Sequence, residues 1–252
     1  MRVWTLPDIV GSIGLADDGR LIAGLGNGFA LIDLSHDRAT ITRIGDPEPH
    51  LAETRLNDGK VDRKGRFWCG SMSKDRLNPV ASLYRLEPDH SWTRVETGIT
   101  VSNGIAFSPN STRMYFSDSR VDRSYQYDLE LESGTLSHCR PFADTTTYEG
   151  RIDGATVDED GNYWGALFDG SAVGCFDSSG QLRGSVPLPV RCPTMCSFGG
   201  PDMDVLFVTS ATFLMSPEEI ALAPQAGALF AIRGLGARGI AEPRFRILTK
   251  PE

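Results

Sequence analysis

The sequence predicts an all-β fold, a β-propeller of the six-bladed type with five complete four-stranded blades and one incomplete blade in this chain. Three observations predict it. A hairpin signal recurs along the chain, a second hairpin follows each of the first, and one strand is left over ahead of the first unit. Four short strands in about 45 residues, repeated, is the pattern of propeller blades. The reading makes residues 1–252 a single domain, a length ordinary for one large all-β domain.

The first hairpins read LADDGRLIAGL (15–25), VDRKGRFWCGS (61–71), FSPNSTRMYFS (107–117), VDEDGNYWGAL (157–167) and FGGPDMDVLFVT (198–209). Each passes from apolar residues through a turn rich in Asp, Gly, Pro or Asn into β-branched or aromatic residues, which is a hairpin signature. The turns centre near Gly19, Gly65, Ser111, Gly161 and Met203, at intervals of 46, 46, 50 and 42 residues. The second pairs are FALIDL with ATITRIG (29–34, 39–45), SLYRLEP with SWTRVET (82–88, 91–97), RSYQYDLE with LSHCRPF (123–130, 136–142), AVGCFDS with QLRGSVPL (172–178, 181–188), and GALFAIR with PRFRIL (227–233, 243–248). Ahead of them, MRVWTL reads as a lone edge strand with Val3 and Leu6 alternating. A lone strand is not a stable unit. It reads as the last strand of a blade whose first three are absent, which favours six blades over five. The stretch SPEEIALAPQAG (216–227) has room for one helical turn, ended by Pro224.

Composition narrows the function. The chain is 40% hydrophobic and 23% charged, ordinary for a globular protein. Its net charge of −8, from 25 basic and 33 acidic residues, argues against nucleic acid or an anionic membrane as partner. Five cysteines, an odd and sparse set, make no disulfide framework. Cys192 and Cys196 lack the second pair or nearby histidine that a zinc site needs. There is no apolar run long enough to span a membrane, and MRVWTLPDIV lacks the layout of a signal peptide. The expected location is the cytoplasm.

In a propeller, polar residues that open the first strand of each blade meet at one mouth of the channel. Three stretches qualify: RLNDGK (55–60), Ser102-Asn103-Gly104, and Arg151-Ile152-Asp153-Gly154. They place Asn57 or Asp58, Asn103 and Asp153 around that mouth. Amide and carboxylate oxygens suit a hard divalent cation, although Asn-Gly and Asp-Gly also serve as plain turn residues. Asp118 and Arg55 are further candidates to face the channel. Arg55 could hold a substrate hydroxyl or carboxylate in its planar fork or serve a structural ion pair. His36, His50, His90 and His138 fall in loop or edge-strand stretches, which does not support a Ser-His-Asp triad. No Walker or dinucleotide motif is present. Trp68, Trp164 and Tyr115 fall on second strands, where aromatics fill the core.

RLNDGKVDRKGRFWCGSM (55–72), SNGIAFSPN (102–110), DGATVDEDGNYWGA (153–166), PTMCSFGG (193–200) and QAGALFAIRGLGARG (225–239) resemble the regucalcin, senescence-marker-protein and gluconolactonase family, in order and spacing, from about residue 10 onward. The resemblance implies a six-bladed propeller that hydrolyses lactones of sugar acids around one divalent cation: Ca, Zn, Mg or Mn. It implies a small-molecule sugar lactone as partner, with no nucleic acid and no membrane. By motif, the family's Asn and Asp metal ligands fall on Asn103 and Asp153. Its substrate-contacting Arg and Asn fall on Arg55 and Asn57, and a further acidic contact falls on Asp75. The family's Glu ligand lies near the N-terminus, ahead of the point where this chain begins. The resemblance therefore implies an upstream start or an N-terminally truncated relative.

In that reading Asp153 accepts a proton from the attacking water while Arg55 and Asn57 orient the sugar. Two alternatives stand beside it. One is a non-catalytic cation-binding propeller, its activity impaired by loss of that ligand; the other is a related hydrolase of organophosphates or other esters.

Overall fold

All five expected turn residues adopt left-handed backbone in the computed structural model, which describes residues 2–248. Their φ values are 89° at Gly19, 79° at Gly65, 57° at Ser111, 85° at Gly161 and 54° at Met203. Glycine reaches this region without strain, while the other two must be held there by their hairpins.

Around these turns run five antiparallel sheets, each meandering in chain order. The first holds β1 (Val10–Leu15), β2 (Leu21–Leu25), β3 (Gly28–Asp33) and β4 (Thr40–Gly45). The second holds β5 (Thr54–Val61), β6 (Phe67–Ser73), β7 (Ala81–Leu86) and β8 (Trp92–Ile99). The third holds β9 (Ser102–Phe107), β10 (Arg113–Asp118), β11 (Arg123–Glu130) and β12 (Thr135–Asp144). The fourth holds β13 (Arg151–Val157), β14 (Tyr163–Phe168), β15 (Ala172–Phe176) and β16 (Leu182–Pro187). The fifth holds β17 (Pro193–Gly199), β18 (Val205–Ser210) and β19 (Leu229–Ile232). Between β18 and β19 lies α1 (Pro217–Leu222), opened by a Ser216/Glu219 capping box with Pro217 in its first turn.

The count corrects three expectations. Among the described residues there are five blade sheets and no sixth, so the six-blade reading is not what the structure shows. The fifth sheet has three strands rather than four, because PRFRIL goes elsewhere. Phe245 bridges Ala16 in parallel, accepts from the Asp17 N–H at 3.0 Å and donates to the Leu15 carbonyl at 2.7 Å. Its fully buried ring joins Phe29, Phe67 and Leu31, and that burial outbids pairing at a sheet edge. The N-terminal stretch is likewise no strand. It is an arm whose Leu6 lies on Ala23, Leu25, Ala30 and Ile32. Arg2 pairs with Asp37 at 2.7 Å, and the Trp4 indole donates to the His36 carbonyl at 2.8 Å.

The chain divides into two compact units, residues 1–102 with 242–252, and residues 103–241. In the first, sheets one and two close on a core of Ile22, Phe29, Leu31, Leu56, Val61, Phe67 and Tyr84. In the second, sheets three and four close on Tyr115, Phe142, Ile152, Tyr163 and Phe176, and sheets four and five close on Trp164, Val173, Phe198, Leu206 and Val208. Each such side chain contributes about 1.5–3 kcal/mol on leaving water. The aromatics on the second strands, Trp68, Trp164 and Tyr115, are buried as core. No helix among the described residues is long and apolar enough to cross a membrane.

Candidate active site

Eight residues before the first four turn residues stand Gly11, Asn57, Asn103 and Asp153, one on each first strand. The ladder slips there: between Val10 and Ser12 in β1, between Leu56 and Gly59 in β5, and between Ile152 and Ala155 in β13. In β9 Gly104 has φ 61°, and in β17 the slip falls at Thr194. A bulge kinks its strand and re-aims a side chain, and such bulges gather beside active sites. The sequence motif and the bulge therefore mark one repeated position.

In the first unit this position carries Arg55 and Asn57. The Arg55 guanidinium donates to Asn57 Oδ1 at 2.9 Å and to the Leu56 carbonyl at 3.0 Å. Asn57 Nδ2 in turn donates to the Ser102 carbonyl at 2.9 Å. Both side chains are thus fixed in orientation, half-buried rather than sealed. Gly11 of β1 makes this possible. A Cβ there would stand 2.6 Å from the Leu56 carbonyl oxygen and 2.7 Å from that of Asn57, so only glycine lets β1 lie against the bulge.

A cleft of about 130 Å³ opens beside Arg55, walled also by Asp46, Glu48, Thr54 and Lys74. Glu48 is buried and accepts from the hydroxyls of Ser71 at 2.8 Å and Tyr84 at 3.0 Å. Burial pushes the Tyr84 phenol up to about 12, so it stays a donor. Glu48 and Lys74 carry no local signal in the sequence, because they reach the cleft from a connecting loop and a strand end.

Asp75 sits in the loop after β6, and its own loop engages both carboxylate oxygens. Oδ1 accepts from Ser73 Oγ at 2.5 Å, Leu77 N at 2.8 Å and Asn78 N at 3.2 Å, and Oδ2 accepts from Asn78 Nδ2 at 2.5 Å. The Ser73 hydroxyl, followed by these backbone N–H groups, holds the carboxyl well below the usual range.

In the second unit the position carries Asn103, which is buried, and Asp153, which is half-buried. Asn103 Nδ2 donates to Ser119 Oγ at 2.8 Å, which fixes which end of the amide carries the oxygen. Ser119 Oγ donates onward to the Ile152 carbonyl at 2.7 Å, next to Asp153. One hydroxyl therefore ties β9 to the bulge of β13. Gly154 completes the bulge: a Cβ there would stand 2.2 Å from Met195 Sδ and 2.9 Å from the Thr194 carbonyl oxygen. Asp118 lies one residue before Ser119, and its Oδ1 accepts from Arg120 N at 3.1 Å, a turn contact. The neighbouring Ser119 hydroxyl is the group that spans the two strands.

Asn103 and Asp153 offer one neutral and one anionic oxygen donor, which fits a hard divalent cation in kind. Among the described residues no group of three or more His, Cys, Asp or Glu side chains gathers. Three of the four histidines have contacts away from these two residues. His138 Nδ1 lies 3.1 Å from Asp128, His90 stacks on Phe245 with centroids 6.3 Å apart, and the His36 carbonyl accepts from Trp4.

Comparison with known proteins agrees with these motifs. The family profile described as SMP-30/Gluconolactonase/LRE-like region matches residues 1–212. The chain is similar to a 6-deoxy-6-sulfogluconolactonase of Pseudomonas putida, at 37% identity over 242 residues, covering 95% of this chain and 81% of that one. It is similar to regucalcin of Danio rerio, at 36% identity over 235 residues, covering 92% of this chain and 79% of that one. Among solved structures, a calcium-binding protein, regucalcin, from Agrobacterium tumefaciens superposes with a TM-score of 0.90 at 28% identity, covering 96% of this chain and 81% of that one. On the profile match and these identities, the chain belongs to the SMP-30/gluconolactonase family of β-propeller proteins.

Proposed function

We propose that this protein opens the ring of a sugar-acid lactone by hydrolysis, with Asp153 as the catalytic base, Asn103 and Asp153 as holders of one divalent cation, and Arg55 and Asn57 as substrate-orienting groups. The observation that carries the reading is the repeated bulge position, which holds Asn57, Asn103 and Asp153 on successive first strands. Relatives named for lactone hydrolysis support the substrate class.

A divalent cation held by Asn103 and Asp153, Ca, Zn, Mg or Mn, would supply Lewis-acid polarisation of the lactone carbonyl. Asp153 takes the proton of the attacking water, its strand kinked by the bulge so that the carboxylate leaves the regular ladder. Asn103, held by Ser119, presents a neutral oxygen and leaves the cation's charge undiminished. Arg55 and Asn57 hold hydroxyls or the ring oxygen of the sugar, and their mutual hydrogen bond means little ordering is needed when substrate arrives. Asp75 is a further polar contact at the rim in this reading, presented by a loop that its own carboxylate keeps rigid.

The test is a pair of variants assayed on aldonolactones. Asp153→Asn lowers kcat by about 100-fold or more with an unchanged melting temperature. Arg55→Ala raises KM and lowers kcat/KM on the order of 10–100-fold. Wild-type turnover in Asp153→Asn would remove the assignment. Tight cation binding with no lactone turnover in the wild type would favour the non-catalytic alternative.

A further inference from the structure

Glu48 is a buried carboxylate with only one of its oxygens satisfied inside the first unit. The residue is 6% exposed, and both of its donors, the hydroxyls of Ser71 and Tyr84, meet Oε1. They come from β6 and β7, two strands that add no described residue to the wall of the cleft beside Arg55. Glu48 itself stands in that wall, which leaves Oε2 as the oxygen that meets the cleft. No ion pair reaches Glu48 among the described residues. A buried carboxylate ordinarily has its charge paired and its lone pairs filled. Oε2 therefore marks a place for a donor from outside the chain.

The segment that carries Glu48 is fixed before any ligand arrives. Glu48 N donates to Asp46 Oδ1 at 2.8 Å, Leu51 N to the Glu48 carbonyl at 2.9 Å, and the Thr54 hydroxyl to the Leu51 carbonyl at 3.0 Å. Across the cleft, Lys74 Nζ donates to the Ala52 carbonyl at 2.7 Å, which uses one of its three N–H groups. The wall thus combines the carboxylates of Asp46 and Glu48 with the cations of Arg55 and Lys74. The cations disfavour a metal ion there, and the carboxylates disfavour a plain anion. A hydroxyl suits both, since it donates to Glu48 and accepts from Lys74. At about 130 Å³ the cleft holds the volume of roughly four waters. Pockets for whole ligands measure roughly 300–1,000 Å³, so this one takes the end of a molecule.

We propose that the cleft binds the exocyclic, hydroxyl-bearing side chain of the sugar lactone, with Glu48 Oε2 as acceptor and Lys74 Nζ as donor. The inference rests on the reading of Arg55 as a sugar-orienting group, because Arg55 belongs both to the pair with Asn57 and to the cleft wall. A dihydroxyethyl side chain has four heavy atoms, which matches the room available. Glu48 and Lys74 then select by side-chain length, since a polar site left unfilled by a shorter substrate discriminates against it.

The experiment compares kcat/KM of the full chain for two aldono-1,4-lactones: a six-carbon one, which carries a dihydroxyethyl side chain, and the four-carbon one, which carries none. The expected result is a wild-type preference for the six-carbon lactone on the order of 10–100-fold, the worth of a hydroxyl bonded to a charged group. Glu48→Gln keeps an acceptor for Ser71 and Tyr84 and reduces the preference to below about threefold. Lys74→Met, at an exposed position, also reduces it and takes the place of Glu48→Gln should that variant lose its fold. A wild type that treats both lactones alike would overturn the proposal, as would a preference kept in both variants. Should the wild type turn over neither lactone, calorimetric titration with the two open-chain aldonates separates the questions. Tighter binding of the six-carbon aldonate, lost in Glu48→Gln, upholds the cleft and sets aside only the hydrolytic reading. Equal binding of the two, or none, overturns the cleft as well.

Discussion

Ser119 joins two strands with one hydroxyl, accepting from Asn103 and donating to the Ile152 carbonyl. Groups that orient metal ligands are worth about 10–100-fold in affinity or activity. Ser119→Ala should therefore weaken cation binding by roughly that factor in a calorimetric titration with Ca²⁺, while Ser119→Thr keeps it. A loss of melting temperature equal in both variants, with unchanged affinity, would make Ser119 merely structural. Asn103 and Asp153 are legible in the sequence as candidates because their motifs are local. Ser119 is not, because that role depends on which strand of another hairpin lies alongside. Cysteines give a second residue-scale expectation. Desolvation pushes the Cys69 thiol up to about 12 and Cys175 up to about 11, while Cys139 is exposed. Since the thiolate is the reactive form, Ellman's reagent at pH 8 should find one fast thiol in the native chain and the rest only in guanidinium. Two or more fast native thiols would contradict the burial.

The hairpin is the element that the sequence specifies best, and its aspartates show why. In sheet two, buried Asp62 accepts from Arg66 Nε at 2.7 Å and Trp68 Nε1 at 2.8 Å. In sheet four, buried Asp158 accepts from Asn162 N at 2.8 Å and Trp164 Nε1 at 2.9 Å. The same Asp-turn-Trp device pins two tight turns to the core. Removing one partner of a buried pair strands the other, so Asp62→Ala should cost about 3–5 kcal/mol in denaturant unfolding. A change below about 1 kcal/mol would refute the role. The outer hairpins use a lighter device: Asp33, Asp89 and Asp177 each accept from a serine two residues on, which lowers each carboxyl below its ordinary value. A depressed carboxyl contributes stability above its unfolded pKa of about 4 and loses it as pH falls through the folded value. The melting temperature should thus hold from pH 7 to about 5 and decline below about 4. Asp89 is exposed and Asp33 and Asp177 are half-buried, so each contributes little.

Across the whole chain, what the sequence left unread is long-range. PRFRIL has the alternation of a strand, and alternation says nothing about which sheet receives it; Phe245 finds its burial beside β1, more than two hundred residues away. MRVWTL also alternates, yet its described residues, 2–6, form no strand and Leu6 rests on sheet one. The five-sheet order, by contrast, was legible from the turn spacing alone, because each sheet is a local meander. The functional claim rests on whether the repeated bulge position does chemistry. Its most direct test is proton release, followed by pH-stat, from aldonolactones mixed with the 252-residue chain, metal-stripped and then supplied with Ca²⁺, Zn²⁺, Mg²⁺ or Mn²⁺. The account predicts release above the spontaneous rate that needs added metal and vanishes in Asp153→Asn. Release equal to the spontaneous rate with every metal, or undiminished in Asp153→Asn, would contradict it.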